Sequence, residues 1–235
     1  MRALLIPSLL RALCLTAMVA HAQTTPSVDV RMRLAFHEHP GSHPLTPAVI
    51  WLEPVHQAPP APFLPQHRYT LLQKNRMFTP HLLVIPVGSV VQFPNADPFF
   101  HNVFSLFDGR RFDLGLYEAG STKAVTFSRE GVSYIFCNIH PEMSAVIVTL
   151  STHLFAVADA KGAFQIADVP VGDYDLYVWI EGVAQPALAK LIRRVHLSTS
   201  AGDLGSLSLP SVRIDPTDHP NMYGQPYDKD VKPTY

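Results

Sequence analysis

The sequence predicts an all-β protein made of two successive β-sandwiches. Helical periodicity is scarce, short runs rich in β-branched and aromatic residues recur between Gly, Pro, Asn and Asp, and 22 prolines in 235 residues interrupt anything longer. A chain that is 47% hydrophobic and 16% charged is a folded protein rather than a disordered one.

Residues 1–22 have the form of a cleaved secretory signal. Arg2 precedes an apolar stretch, and Ala20-His21-Ala22 supplies a small-x-small site with cleavage expected after Ala22. Arg11 divides the apolar stretch into pieces far short of the roughly 20 residues that a span needs. No second stretch of spanning length follows, so a periplasmic or secreted mature chain without a membrane span is expected. A formal net charge of −1 over the whole chain gives no basic face for nucleic acid.

The first sandwich, within residues 23–150, is expected from strands at 28–36, 48–52, 81–85, 89–93, 123–127, 132–136 and 145–150. A proline-rich connection occupies 54–65. The stretch 95–120, broken by Pro98, Gly109, Gly115 and Gly120, reads as a long irregular loop, and loops of that length inside a domain usually have a function. A smaller second sandwich, residues 151–209, follows from runs at 154–158, 163–169, 174–180, 189–197 and 205–209. The turns Asp159-Ala160-Lys161-Gly162 and Pro170-Val171-Gly172-Asp173 predict two hairpins. Residues 210–235, rich in Pro, Asp, Asn and Tyr, are expected to form an extended or disordered tail.

Two cysteines are present, and Cys14 leaves with the signal. Cys137 is then alone in an oxidising compartment, where cysteines normally pair. It opens Cys137-Asn138-Ile139-His140-Pro141-Glu142-Met143, a Cys-x2-His-x2-Met spacing between two predicted strands. With 12 His and 6 Met in the chain, chance gives a cysteine both neighbours on the order of once in a thousand. A strand end followed by a tight loop can aim thiolate, imidazole and thioether at one point. Soft sulfur with imidazole selects copper, and His2Cys with a weak axial Met is the pattern of an electron-transfer site.

The second imidazole is assigned to His101, which follows the predicted strand 89–93; His81 or the group His37, His39 and His43 could also supply it. Asn102 is the candidate outer support, donating a hydrogen bond to the Cys137 loop.

In these segments the chain resembles the cupredoxins, in particular the small type 1 copper proteins of the amicyanin, pseudoazurin and plastocyanin kind. The resemblance runs from about residue 28 to residue 150. It rests on Pro86-Val87-Gly88-Ser89-Val90-Val91-Gln92-Phe93-Pro94-Asn95, Phe100-His101-Asn102-Val103 and Cys137-x2-His140-x2-Met143. It implies a Greek-key sandwich holding one type 1 copper through His101, Cys137, His140 and Met143, with His140 at the solvent edge, where electrons would pass to a redox partner protein. The second half is similar to the carboxypeptidase regulatory domain in Phe155-Ala156-Val157-Ala158-Asp159, Gly162-x-Phe164-x-Ile166 and Val169-Pro170-x-Gly172-x-Tyr174-x-Leu176. Exported proteins of the methylamine-utilisation type join two such modules.

Two rival readings keep the fold. In one, His37-Glu38-His39 and His43 add a second copper site for storage or delivery. In the other, the second sandwich is the adaptor of a redox complex, although Tyr174, Tyr177 and Trp179 read as core rather than as a binding face. No His-Cys-His tripeptide includes Cys137, and no second cysteine lies nearby. The expectation is therefore a carrier and not an enzyme.

Overall fold

The computed structural model describes residues 26–35, 47–56, 61–65, 67–106, 109–208 and 221–227. The expected signal segment and His37, His39 and His43 lie outside these residues. The chain opens with β1 (Ser27–Ala35) and β2 (Ala48–Pro54). There follow β3 (Tyr69–Thr70), β4 (Leu72–Lys74), β5 (Met77–Thr79), β6 (Leu82–Pro86) and β7 (Ser89–Pro94). Then come β8 (His101–Ser105), β9 (Phe112–Tyr117), β10 (Thr122–Phe127), β11 (Gly131–Phe136) and β12 (Ser144–Leu150). The last part holds β13 (Phe155–Val157), β14 (Ala163–Pro170), β15 (Gly172–Ile180), β16 (Arg193–Leu197) and β17 (Asp203–Ser208), with one short helix, α1 (Gln185–Ala189). The all-β sandwich architecture is thus as the sequence predicts. No helix among the described residues is long and apolar enough to cross a membrane.

Alternation decides which face each strand buries, because successive side chains point to opposite sides of a sheet. The first sandwich packs a three-stranded sheet, β10-β7-β3, on a five-stranded one, β6-β12-β11-β8-β9. Val91, Phe93, Val103, Phe127, Ile135 and Ile147 fill the space between them. The second packs β14-β1-β17 on β13-β2-β15-β16, around Val30, Ile50, Leu52, Phe164, Ile166, Leu176 and Val178.

Strand β12 explains how the two sandwiches stack. Its sequence Ala145-Val146-Ile147-Val148-Thr149-Leu150 is buried throughout, as expected of a strand covered on both faces. Ala145 and Ile147 belong to the first core, whereas Val146, Val148 and Leu150 belong to the second. Trp179 on β15 reaches across to β11, its Nε1 donating to the Tyr134 hydroxyl at 3.1 Å. Tyr174 and Trp179 are buried core residues, as expected, whereas Tyr177 is half-buried and stacks on Trp51 with ring centroids 5.3 Å apart.

Pairing differs from the sequence expectation in three places. First, β1 and β2, read by chain order as strands of the first sandwich, pair with the second half: β1 with β14 and β17, β2 with β13 and β15. An amphipathic strand carries its burial face in its sequence but not the name of its partner. Second, the turns at 159–162 and 170–173 reverse the chain without making hairpins, since β13 and β15 lie in one sheet and β14 in the other. Asp159 still builds its turn, its Oδ1 accepting from the N–H groups of Lys161 (2.7 Å) and Ala163 (2.9 Å). Third, the expected loop 95–120 contains β8 and β9, and the expected strand 189–197 starts only at Arg193, after α1.

A second polar contact crosses between the halves. His81, just before β6, places Nε2 2.6 Å from Glu181 Oε1 and Nδ1 3.1 Å from the Ser144 carbonyl oxygen. The Ser144 carbonyl and the Glu181 carboxylate are both acceptors, a setting that favours the protonated ring. The hydrogen bond to Glu181 accordingly raises the His81 pKa above its ordinary 6.5, against the opposing effect of burial. A raised folded pKa stabilises the fold fully below the unfolded value and loses that contribution as pH rises through the folded one. His81 is partly solvent-screened, which limits the gain to about 1 kcal/mol. Glu181→Gln should therefore be less stable than the native chain by about 1 kcal/mol at pH 6, with the gap closing at alkaline pH. Thermal unfolding of both chains across that range checks it.

Candidate metal centre

Strand parity brings the sulfur inward. On β11 Ser133 and Ile135 face the first core, so Cys137, one residue past the strand, continues on that face, fully buried. The register of β11 with β12 pairs Ile135 with Ala145 and Phe136 with Ser144. Cys137 N–H then donates to the Met143 carbonyl at 3.3 Å, and Met143 N–H to the His140 carbonyl at 2.9 Å. Cys137 and Met143 are thus opposed as the next rung of the same hairpin. Directly opposed residues hold their Cβ atoms about 4.5–5.5 Å apart, and both side chains lie in the first core.

His101 comes from β8, which neighbours β11 in the sheet. Its Nδ1 lies 3.6 Å from Cys137 Sγ, and His140 Nδ1 lies 3.5 Å from the same sulfur. The potential ligand atoms of His101, Cys137 and His140 all lie within 4.8 Å of one another, and all three residues are buried. The two imidazoles meet edge to face with centroids 4.9 Å apart.

The orientation of His101 is fixed from behind. Its Nε2 is 2.9 Å from Asp97 Oδ2. A carboxylate there accepts a hydrogen bond from Nε2–H and leaves the Nδ1 lone pair directed at the sulfur. Burial alone would push the Asp97 carboxyl up. Hydrogen bonds from the Arg76 and Asn75 N–H groups and from His101 outweigh it and hold Asp97 below its ordinary value. Those two N–H groups approach the carboxylate at 3.0 and 2.6 Å. They come from the tight β4–β5 turn, where Asn75 and Arg76 adopt φ of 55° and 56°. That conformation costs a non-glycine residue about 1 kcal/mol, which the Asp97 hydrogen bonds offset.

At Cys137 burial raises the thiol pKa, while the backbone N–H groups of Asn102, Ile139 and His140 pull it down by stabilising the thiolate. At His140 burial, followed by the neighbouring His101, pushes the pKa down to about 4. His140 is therefore neutral at neutral pH, with a lone pair to offer. Two imidazole nitrogens and a buried sulfur approached by backbone amides form a donor set suited to a soft metal ion.

Two expectations change, and one alternative falls away. The Asn102 side chain donates to Asp113 Oδ1 at 2.7 Å rather than to the Cys137 loop, and its support reaches the sulfur through the backbone N–H. His140 does not lie at the solvent edge: it is 1% exposed. Phe99 packs against its ring with centroids 5.5 Å apart. Finally, His81 is engaged with Glu181 and Ser144 and stands outside the group. Asp97 and Phe99 were not anticipated. The segment Asn95-Ala96-Asp97-Pro98 reads as an ordinary turn, and nothing local marks its acid as buried.

No family model and no curated protein matches the sequence. Solved structures similar to part of the chain include a purple cupredoxin from Nitrosopumilus maritimus, 24% identical, covering 35% of this chain and 99% of that one, with a TM-score of 0.33. A copper-containing nitrite reductase from Thermus scotoductus is 26% identical over 42% of this chain, with a TM-score of 0.35, and this chain spans 25% of its length. A reduced amicyanin variant is 18% identical, covering 38% of this chain and 92% of that one, with a TM-score of 0.34.

If Asp97 sets the ring of His101, Asp97→Ala should lower copper affinity about 10–100-fold, the usual effect of losing an outer partner of a ligand. Asp97→Asn, which keeps an acceptor for Nε2–H, should recover part of it. Competition against a chelator of known affinity measures both.

Proposed function

We propose that the chain is an exported type 1 copper protein of the cupredoxin kind that carries single electrons, holding one copper through His101, Cys137, His140 and Met143. The observation that carries this reading is the convergence of two imidazole Nδ1 atoms on one buried, amide-cradled sulfur. The absence of carboxylate from that donor set favours copper over hard cations, and a His2Cys set backed by a thioether suits an electron-transfer copper rather than a structural zinc.

Bound copper would supply a one-electron couple between Cu(II) and Cu(I). The residues supply the rest. Asp97 and the Asn102, Ile139 and His140 amides hold ligands in place before metal arrives, so the donor set need not rearrange when the charge on the metal changes. Met143, opposed to Cys137 across the hairpin, would offer its thioether as a further, weak donor. Burial of His140 and its contact with Phe99 exclude water from the site, which disfavours an open coordination position and hence substrate chemistry. The carrier reading over an enzyme is further supported by the lack of a His-Cys-His tripeptide that would join Cys137 to a second copper.

The form of residues 1–22 supports export to the periplasm or beyond. The second sandwich is taken as a carboxypeptidase-regulatory-like module completed by β1 and β2. It covers the outer face of the copper sandwich and leaves its partners to be identified.

One equivalent of Cu(II) added to the purified chain should give an intense visible absorption from thiolate bound to Cu(II), and Cys137→Ala should abolish it. A colourless complex that is equally weak in both chains would contradict the reading.

A further inference from the structure

The ligand loop is covered by a distant part of its own chain. Residues 221–227 form a turn organised by Asn221, whose Oδ1 accepts from the N–H groups of Tyr223 (2.9 Å) and Gln225 (3.0 Å). Backbone hydrogen bonds close it, from Asn221 N–H to the Gln225 carbonyl at 2.7 Å and from Gly224 N–H to the Asn221 carbonyl at 2.9 Å. Gly224 has φ of 77°, which suits glycine at this corner.

The turn touches the loop at both ends. Met222 N–H donates to Asn138 Oδ1 at 2.9 Å, and the Tyr227 hydroxyl lies 3.4 Å from the Cys137 carbonyl oxygen. Both contacts fall between Cys137 and His140, two of the proposed ligands. Tyr227 is half-buried against the loop, whereas Tyr223 at the tip of the turn is 74% exposed. The tail expected to be extended or disordered thus contains an ordered segment on the loop that carries the ligands.

We infer that residues 221–227 are a strap that restricts which electron partners reach the metal, an inference that rests on the copper reading above. An electron crosses between proteins only where their surfaces come close to the ligands. On this loop the strap occupies that surface, held there by hydrogen bonds from Met222 and Tyr227. A short terminal segment lying outside both cores can be released without unfolding either sandwich, as expected of segments at the low-stability end of a structure. A protein-sized partner must displace the strap to approach His140, while a small reagent need not.

Two variants of the full chain test this: Asn221→Ala, which dismantles the turn, and a chain ending at residue 220. In the metal-free proteins, amide hydrogen exchange at Asn138, Ile139 and His140 should be about tenfold faster in both variants than in the native chain. In the copper-loaded proteins, the chain ending at residue 220 should accept an electron from ferrocytochrome c about tenfold faster than the full chain, with little change for ascorbate. Unchanged exchange would show that the segment does not cover the loop. Faster exchange with an unchanged cytochrome rate would show that the cover does not control access, and either result overturns the strap. Loss of the visible copper band in every chain would instead sink the copper reading, while metal-free exchange would still judge the strap as a cover.

Discussion

A buried, charged hydrogen bond between Asp97 and His101 is the contact on which the site depends. Burying a carboxylate is costly unless its oxygens are partnered, and here the partners are two amides from the Asn75–Arg76 turn and the Nε2–H of His101. The same three donors join the β4–β5 turn, the loop before β8 and β8 itself. The imidazole is therefore aimed by the burial of an acid and not by its own packing alone. At the sulfur three backbone amides oppose the effect of burial without cancelling it, and the thiol pKa stays raised.

That constraint also explains the dry character of the centre. His140 is closed off by Phe99 on one side, and the loop below it is touched by residues 221–227. Closure of this kind is what the proposed electron-carrier reading requires of the site. The second sandwich extends the same economy of burial: β12, apolar on both faces, can exist only because β2 and β15 cover its outer side.

The features legible in the sequence were those encoded locally. Cys137, His140 and Met143 sit on one short loop, so their spacing alone announces a common focus, and alternation exposes the strands one by one. Partner choice is non-local. Nothing in Val28 to Leu34 distinguishes a strand that pairs with β14 from one that pairs with β7, and the turn at Asp159 fixes a reversal without fixing a sheet. Asp97 escaped notice for the same reason. Its role depends on Asn75 and Arg76, more than 20 residues away, and a turn acid looks alike whether it faces water or an imidazole. The burial of His140 was hidden because Phe99 and His101, which pack on its ring, lie far from it in sequence.

The most direct test is a crystal structure of the copper-loaded chain with anomalous diffraction recorded on either side of the copper absorption edge. The account predicts one anomalous peak per chain, bonded to Cys137 Sγ and to Nδ1 of both His101 and His140, with the Met143 sulfur as its more distant neighbour. A peak elsewhere, or one at which Cys137 is not a ligand, would contradict it.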